Sequence, residues 1–81
     1  VFDRAVQAFA RPIFVPHQQV AVRSFTDEVN RKAEDNGMAN HPEDFELHAL
    51  AVYDEESGSF GPLEGGQRVL VRAQDVVRKD V

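Results

Sequence analysis

The chain has 81 residues, no cysteine and a formal net charge of −5. That confines it to one small domain and excludes a disulfide framework or a thiolate metal site. No apolar run approaches the ~20 residues that cross a bilayer and no signal-peptide core is present, so no membrane association is expected.

The chain opens on Val1 and not on Met, which leads us to expect that residues of a first strand precede it. Val1 to Val6 reads as the end of a strand and a turn. Ala8 to Val15 reads as the return strand, with β-propensity from Phe9, Ile13, Phe14 and Val15. Pro12 removes one ladder donor and points to an edge or a bulge. Pro16 ends the strand.

The spacing then predicts a helix over Gln18 to Asn36. Ala21, Val22, Phe25, Val29 and Ala33 recur at intervals of three and four and form one apolar stripe. Glu28 and Lys32 have the favourable i,i+4 orientation. Asn36-Gly37 reads as the helix stop, with Gly in the left-handed position past the last turn. The start is poorly signalled, since no Ser, Thr, Asp or Asn cap precedes it.

Met38 to Asp44 is expected to be a loop in which Pro42, Glu43 and Asp44 form a short helical turn. Phe45 to Tyr53 reads as one strand with apolar residues on both faces, hence a central one. Asp54 to Gly58 is a hairpin loop, and Ser59-Phe60 begins the partner strand. Gly61, Pro62, Gly65 and Gly66 make residues 61–66 a flexible linker. Residues 67–81 read as a C-terminal strand or short helix. Val69-Leu70-Val71 favours a strand over 68–72 followed by a helical turn, while Leu70, Ala73, Val76 and Val77 also fit a helical stripe.

The expected fold is a single α+β domain over residues 1–81. It is a two-layer ββαββ arrangement, with one main helix packed on a small antiparallel sheet. The core is assigned to Phe14, Val22, Phe25, Val29, Leu47, Leu50 and Val52, with Tyr53, Phe60 and Leu70 at its margin. A chain this short buries only about 60–65% of its unfolded surface. With strand edges near Ala8 to Phe14 and Ser59 to Leu63 lacking an obvious partner, a homo-oligomer is expected.

No enzyme is expected, because no nucleophile elbow, phosphate loop or cysteine nucleophile is present. No metal is expected either. His17, His41 and His48 lack metal-ligand spacing, and Asp54-Glu55-Glu56 lacks the alternating ligands of a calcium loop. No cofactor motif occurs.

Charge is unevenly distributed. Residues 1–36 carry five basic and five acidic side chains, residues 37–66 carry seven acids with no Lys or Arg, and residues 67–81 carry four basic and two acidic ones. The acidic middle would repel a phosphate backbone. Attraction is confined to a helix face with Arg23, Arg31 and Lys32, or to a tail with Arg68, Arg72, Arg78 and Lys79. Phe9, Phe14, Tyr53 and Phe60, with Arg4, Arg11 and Arg23, are candidate pieces of a single-strand stacking surface. In so small a domain, however, the aromatic rings are expected inside.

Three segments in order resemble one family. Phe2-Asp3-Arg4-Ala5 with Pro12-Ile13-Phe14 is similar to its first hairpin. Ala21-Val22-Arg23-Ser24-Phe25-Thr26-Asp27-Glu28-Val29-Asn30 is similar to its helix. His41-Pro42-Glu43-Asp44-Phe45 through Gly58 is similar to its loop, strand and turn. The family is the small non-structural protein of gokushovirus-type microviruses, phages with single-stranded DNA genomes. The resemblance spans roughly residues 2–60. It implies a phage accessory protein in the host bacterial cytoplasm, acting in single-stranded genome synthesis or packaging. Weak, sequence-independent binding of single-stranded DNA by an oligomer is one expectation. The other is a self-associating module that docks on the phage capsid or replication protein, with virion association in the capsid case. The family brings no catalytic motif.

Overall fold

A computed structural model describes residues 1–78. In chain order the elements are β1 (Phe2–Asp3), β2 (Ala8–Phe9), α1 (Gln18–Val29), α2 (Gly37–Asn40), β3 (Phe45–Ala49), β4 (Val52–Asp54), β5 (Ser59–Gly61) and β6 (Arg68–Arg72). Two 3-10 turns, Pro42–Asp44 and Ala73–Asp75, complete them. β2, β1, β3 and β6 form an antiparallel sheet in that order, and β4 and β5 form a separate hairpin sheet. The fold is α+β, with one main helix and small antiparallel sheets. No helix among the described residues is long and apolar enough to cross a membrane.

The core is small. α1 lays Ala21, Phe25 and Val29, one helical turn apart, against Leu47 of β3 and Ala73 of the last 3-10 turn. Val22, Met38, Phe45, Leu70, Val71 and Val76 pack around them half-buried. Burial of a ring such as Phe25 is worth about 1.5–3 kcal/mol, so this stripe orients the helix on the sheet. Ala21, read from the sequence as part of the stripe, and Ala73 are buried core residues outside the assigned core.

The helix ends at Val29, seven residues before the expected Asn36. Ala33 continues the apolar spacing, but two asparagines redirect the chain. Asn30 turns out of the helix, its N–H shared between the Thr26 and Asp27 carbonyls. Asn36 is buried, and its Nδ2 donates to the carbonyls of Glu28 at 2.8 Å and Arg31 at 2.7 Å. Its Oδ1 accepts from the N–H groups of Met38 and Ala39, so it caps α2. Asn36-Gly37 is thus the start of the next helix and not the stop of the first. At the front of α1, His17 makes no side-chain cap, in keeping with the weak sequence signal.

The expected strand Ala8 to Val15 reduces to Ala8–Phe9. No backbone hydrogen bond ties residues 11–16 to the rest of the described chain. Pro12 and Pro16 supply no N–H, and the segment runs exposed.

The expected strand Phe45 to Tyr53 is two strands in two sheets. β3 is held between β1 and β6, with a bulge opposite Leu47 and His48. The chain leaves the sheet at Leu50-Ala51, and β4 pairs instead with β5. This division removes four assigned core or margin residues from the interior: Phe14 is 63% exposed, Val52 51%, Tyr53 41% and Phe60 67%. Leu50 is half-buried and outside the core cluster.

Other expectations hold in place. Pro42–Asp44 forms the short helical turn, β6 occupies Arg68–Arg72, and a helical turn follows it. The hairpin closes through Gly58, whose N–H donates to the Asp54 carbonyl at 2.7 Å and whose φ of 71° is the left-handed conformation that glycine adopts freely. Residues 63–66 form a turn closed by the Gly66 N–H on the Leu63 carbonyl.

Candidate interaction face

A groove of about 850 Å³ opens between the body of the domain and the β4–β5 hairpin. Segment 12–16, the Leu50–Tyr53 stretch and Phe60 supply much of its lining. Local structure places the rings. Tyr53 and Phe60 are direct cross-strand partners, which sets both on one face of the hairpin. Phe14 arrives from the extended segment between two prolines. Ring centroids lie 4.9 Å apart for Tyr53–Phe60, 5.3 Å for Phe14–Tyr53 and 6.1 Å for Phe14–Phe60. Such tilted contacts are attractive. The trio nevertheless remains largely open to water, since the hairpin belongs to neither the helix nor the main sheet.

A second ring cluster has a structural role. Phe2 and Phe9 are cross-strand partners at 4.7 Å, and the His48 ring sits 5.5 Å and 5.2 Å from them. The His48 Nε2 lies 3.2 Å from Glu46 Oε1, while Glu46 Oε2 forms an ion pair with Arg72 Nε at 3.1 Å. Glu46 and Arg72 are partners across β3 and β6, so a nearly buried carboxylate joins the two strands and positions a histidine on the first hairpin.

The HPED turn gathers His41, Glu43 and Asp44, with one ligand atom from each within 4.8 Å of the others. Spacing alone did not predict that grouping. His41 and Glu43 are exposed, and three donors on a surface turn are a sparse set for a cation. Solvated or capping carboxylates are the ordinary content of such turns.

The description "Phage ORF5 protein" belongs to a family model that matches residues 1–76. This chain is a member of that family. It is 27% identical to Protein ORF5 of Chlamydia phage 1 over 75 residues, which cover 90% of this chain and 78% of that protein. That relative is encoded by a gokushovirus-type microvirus, in agreement with the resemblance drawn from the three segments. No solved structure gives a significant match.

In this phage ORF5 chain the cationic candidates are scattered, and several are paired. Only Arg23 of the first group lies on α1; Arg31 and Lys32 follow its end. Arg31 grips Glu28 through Nε and Nη2 at 3.0 and 2.8 Å. That hydrogen bond holds the Glu28 carboxyl below the usual carboxylate range. Arg72 pairs with Glu46, and Arg78 reaches Asp27 at 3.4 Å. The Arg68 Nη2 donates to Gln18 Oε1 at 3.0 Å. Lys79 lies outside the described residues. Arg4, Arg11 and Arg23 have no carboxylate within ion-pair distance among the described residues.

Proposed function

We propose that this ORF5 chain is a non-enzymatic phage accessory protein. In this reading it acts in single-stranded genome synthesis or packaging, and works by binding protein through its aromatic face. One observation carries it: Phe14, Tyr53 and Phe60 touch one another yet stand open to solvent. The largest contiguous apolar patch on a monomer is often its interaction site. Family membership supports the phage setting. The resemblance to microviruses motivates genome synthesis or packaging, the host cytoplasm as its site, and the phage replication or capsid protein among its partners.

The test is a pull-down from infected cells with tagged wild type and a Phe14→Ala, Phe60→Ala variant. It scores replication protein, capsid protein, untagged copies of the chain and DNA. Wild type is expected to retain at least one of the proteins and the variant to lose it. Equal recovery by both would overturn a binding role for this face.

A second reading is direct, weak and sequence-independent binding of single-stranded DNA. Exposed rings with Arg11 three residues before Phe14 favour it, because bases stack on such rings at about 1–3 kcal/mol each. Asp54, Glu55 and Glu56, which follow Tyr53 directly, oppose it. Each phosphate neutralised adds about 0.7 to the log–log salt slope. Retention on immobilised single strands at low salt is therefore expected to collapse near physiological salt. Replacing Arg23, Arg31 and Lys32 by Ala, or separately Arg68, Arg72, Arg78 and Lys79, locates the cationic track. No retention by wild type at low salt would eliminate the reading.

A further inference from the structure

We propose that a second copy of this chain covers the aromatic face, giving a two-fold dimer. The inference rests on the reading of that face as protein-binding and names the protein.

The area is sufficient. Phe14, Tyr53 and Phe60 are 63%, 41% and 67% exposed, and Ile13 and Val52 add 63% and 51%. With about 150–250 Å² per ring, the patch presents roughly 500 Å² per copy. Complete coverage on both copies would remove roughly 1,000 Å², about the least that a biological interface clears. The patch is also the right kind of surface, since interface centres are rich in Tyr and Phe and poor in charge.

The backbone has the same incompleteness. β4 and β5 bond only to each other, and an isolated two-stranded hairpin is marginal in water. Segment 11–16, which brings Phe14 to the hairpin, has unpaired backbone groups. A partner that adds strand contacts or covers the rings completes both pieces together.

Charge selects a copy of the same chain over a nucleic acid. Glu55 lines the groove with Glu56 next to it in the chain, and Arg11 precedes Phe14 by three residues; none of the three has an ion-pair partner among the described residues. A second copy brings its own Arg11 along with its acids, so pairing of acid with arginine across the axis is open to it. A phosphate backbone on the same face would meet the acids.

Sedimentation velocity on the full chain at about ten to a hundred micromolar tests the proposal, with circular dichroism as a fold control. Wild type is expected at twice the 9.1 kDa chain mass. Phe60→Asp should raise the dissociation constant by about a hundredfold, as loss of a central interface ring does, with the spectrum retained. Should that variant unfold, Ile13→Asp, on the segment without backbone bonds, is expected to dissociate the dimer in the same way. Glu55→Arg with Glu56→Arg should weaken association, and adding Arg11→Glu should restore it.

A 9.1 kDa wild type across that range, or a folded Phe60→Asp that dimerises as wild type does, would overturn the inference. A monomeric wild type that still retains phage replication or capsid protein through this face leaves the functional reading intact and removes the dimer. A monomer that retains single-stranded DNA, and loses it with Phe60→Asp, removes both.

Discussion

The side-chain amide of Asn36 donates to the main-chain carbonyl of Glu28 at 2.8 Å, closing an eight-residue loop around the end of the main helix. One residue therefore ties down the end of α1, through the Glu28 carbonyl and that of Arg31 just past it, and begins α2 through its Oδ1. A polar side chain at a buried position is stable there because both ends of its amide are satisfied.

Asn36→Ala is expected to cost about 2–4 kcal/mol, from a lost cap and two hydrogen bonds to a part-buried helix end. Asn36→Asp should be at least as damaging, since it sets a carboxylate against two carbonyls. Urea denaturation measures both. A loss under about 1 kcal/mol for the alanine variant would mean that water replaces the amide at no penalty.

The two phenylalanine environments predict opposite responses. Phe25 is buried between helix and sheet, and Phe25→Ala should cost about 3–5 kcal/mol. Phe14 is mostly exposed, and Phe14→Ala should change monomer stability by less than about 1 kcal/mol. Denaturation at a concentration low enough to populate monomer makes the comparison. Similar losses at the two positions would contradict the placement of the rings.

Arg72 and Arg31 both hold a glutamate, but only Glu46 is nearly buried. Arg72→Ala leaves that carboxylate with His48 as its one side-chain partner and should cost about 1–3 kcal/mol, less than a fully buried pair because Arg72 itself is half exposed. Arg31→Ala should leave the denaturation midpoint nearly unmoved, since solvent replaces the partner of Glu28. Equal shifts for the two variants would remove the distinction.

The Glu28–Arg31 hydrogen bond carries a signed pH dependence. Because the folded carboxyl titrates below its ordinary value, the stabilisation is complete above the usual glutamate range and disappears as pH falls through the lowered folded value. The effect is small and weakened by salt at this exposed site. NMR titration of the Glu28 carboxyl carbon should give a midpoint below that of a free glutamate, moving back upward in Arg31→Ala. An unchanged midpoint in the variant would exclude Arg31 as the cause.

Local patterns in the sequence determined a good share of this protein. The stripe Ala21, Phe25, Val29 defines a helix because its period depends on the helix alone, and Pro42, Gly58 and the Val69-Leu70-Val71 run specify their turns and strand through backbone preferences of a few neighbouring residues. The three family segments are likewise legible in one dimension. Tertiary structure decided where the helix stops, because the carbonyls of Glu28 and Arg31 are claimed by an amide several residues further on. It also decided where the strand after Phe45 breaks, because β1 and β6 hold Phe45–Ala49 while β5 draws Val52–Asp54 away. That break moves Val52, Tyr53 and Phe60 from interior to surface and builds the aromatic face. Apolar character by itself does not distinguish a ring that fills a core from one left exposed. The difference lies in which strands pair and so in whether this chain supplies an opposing wall.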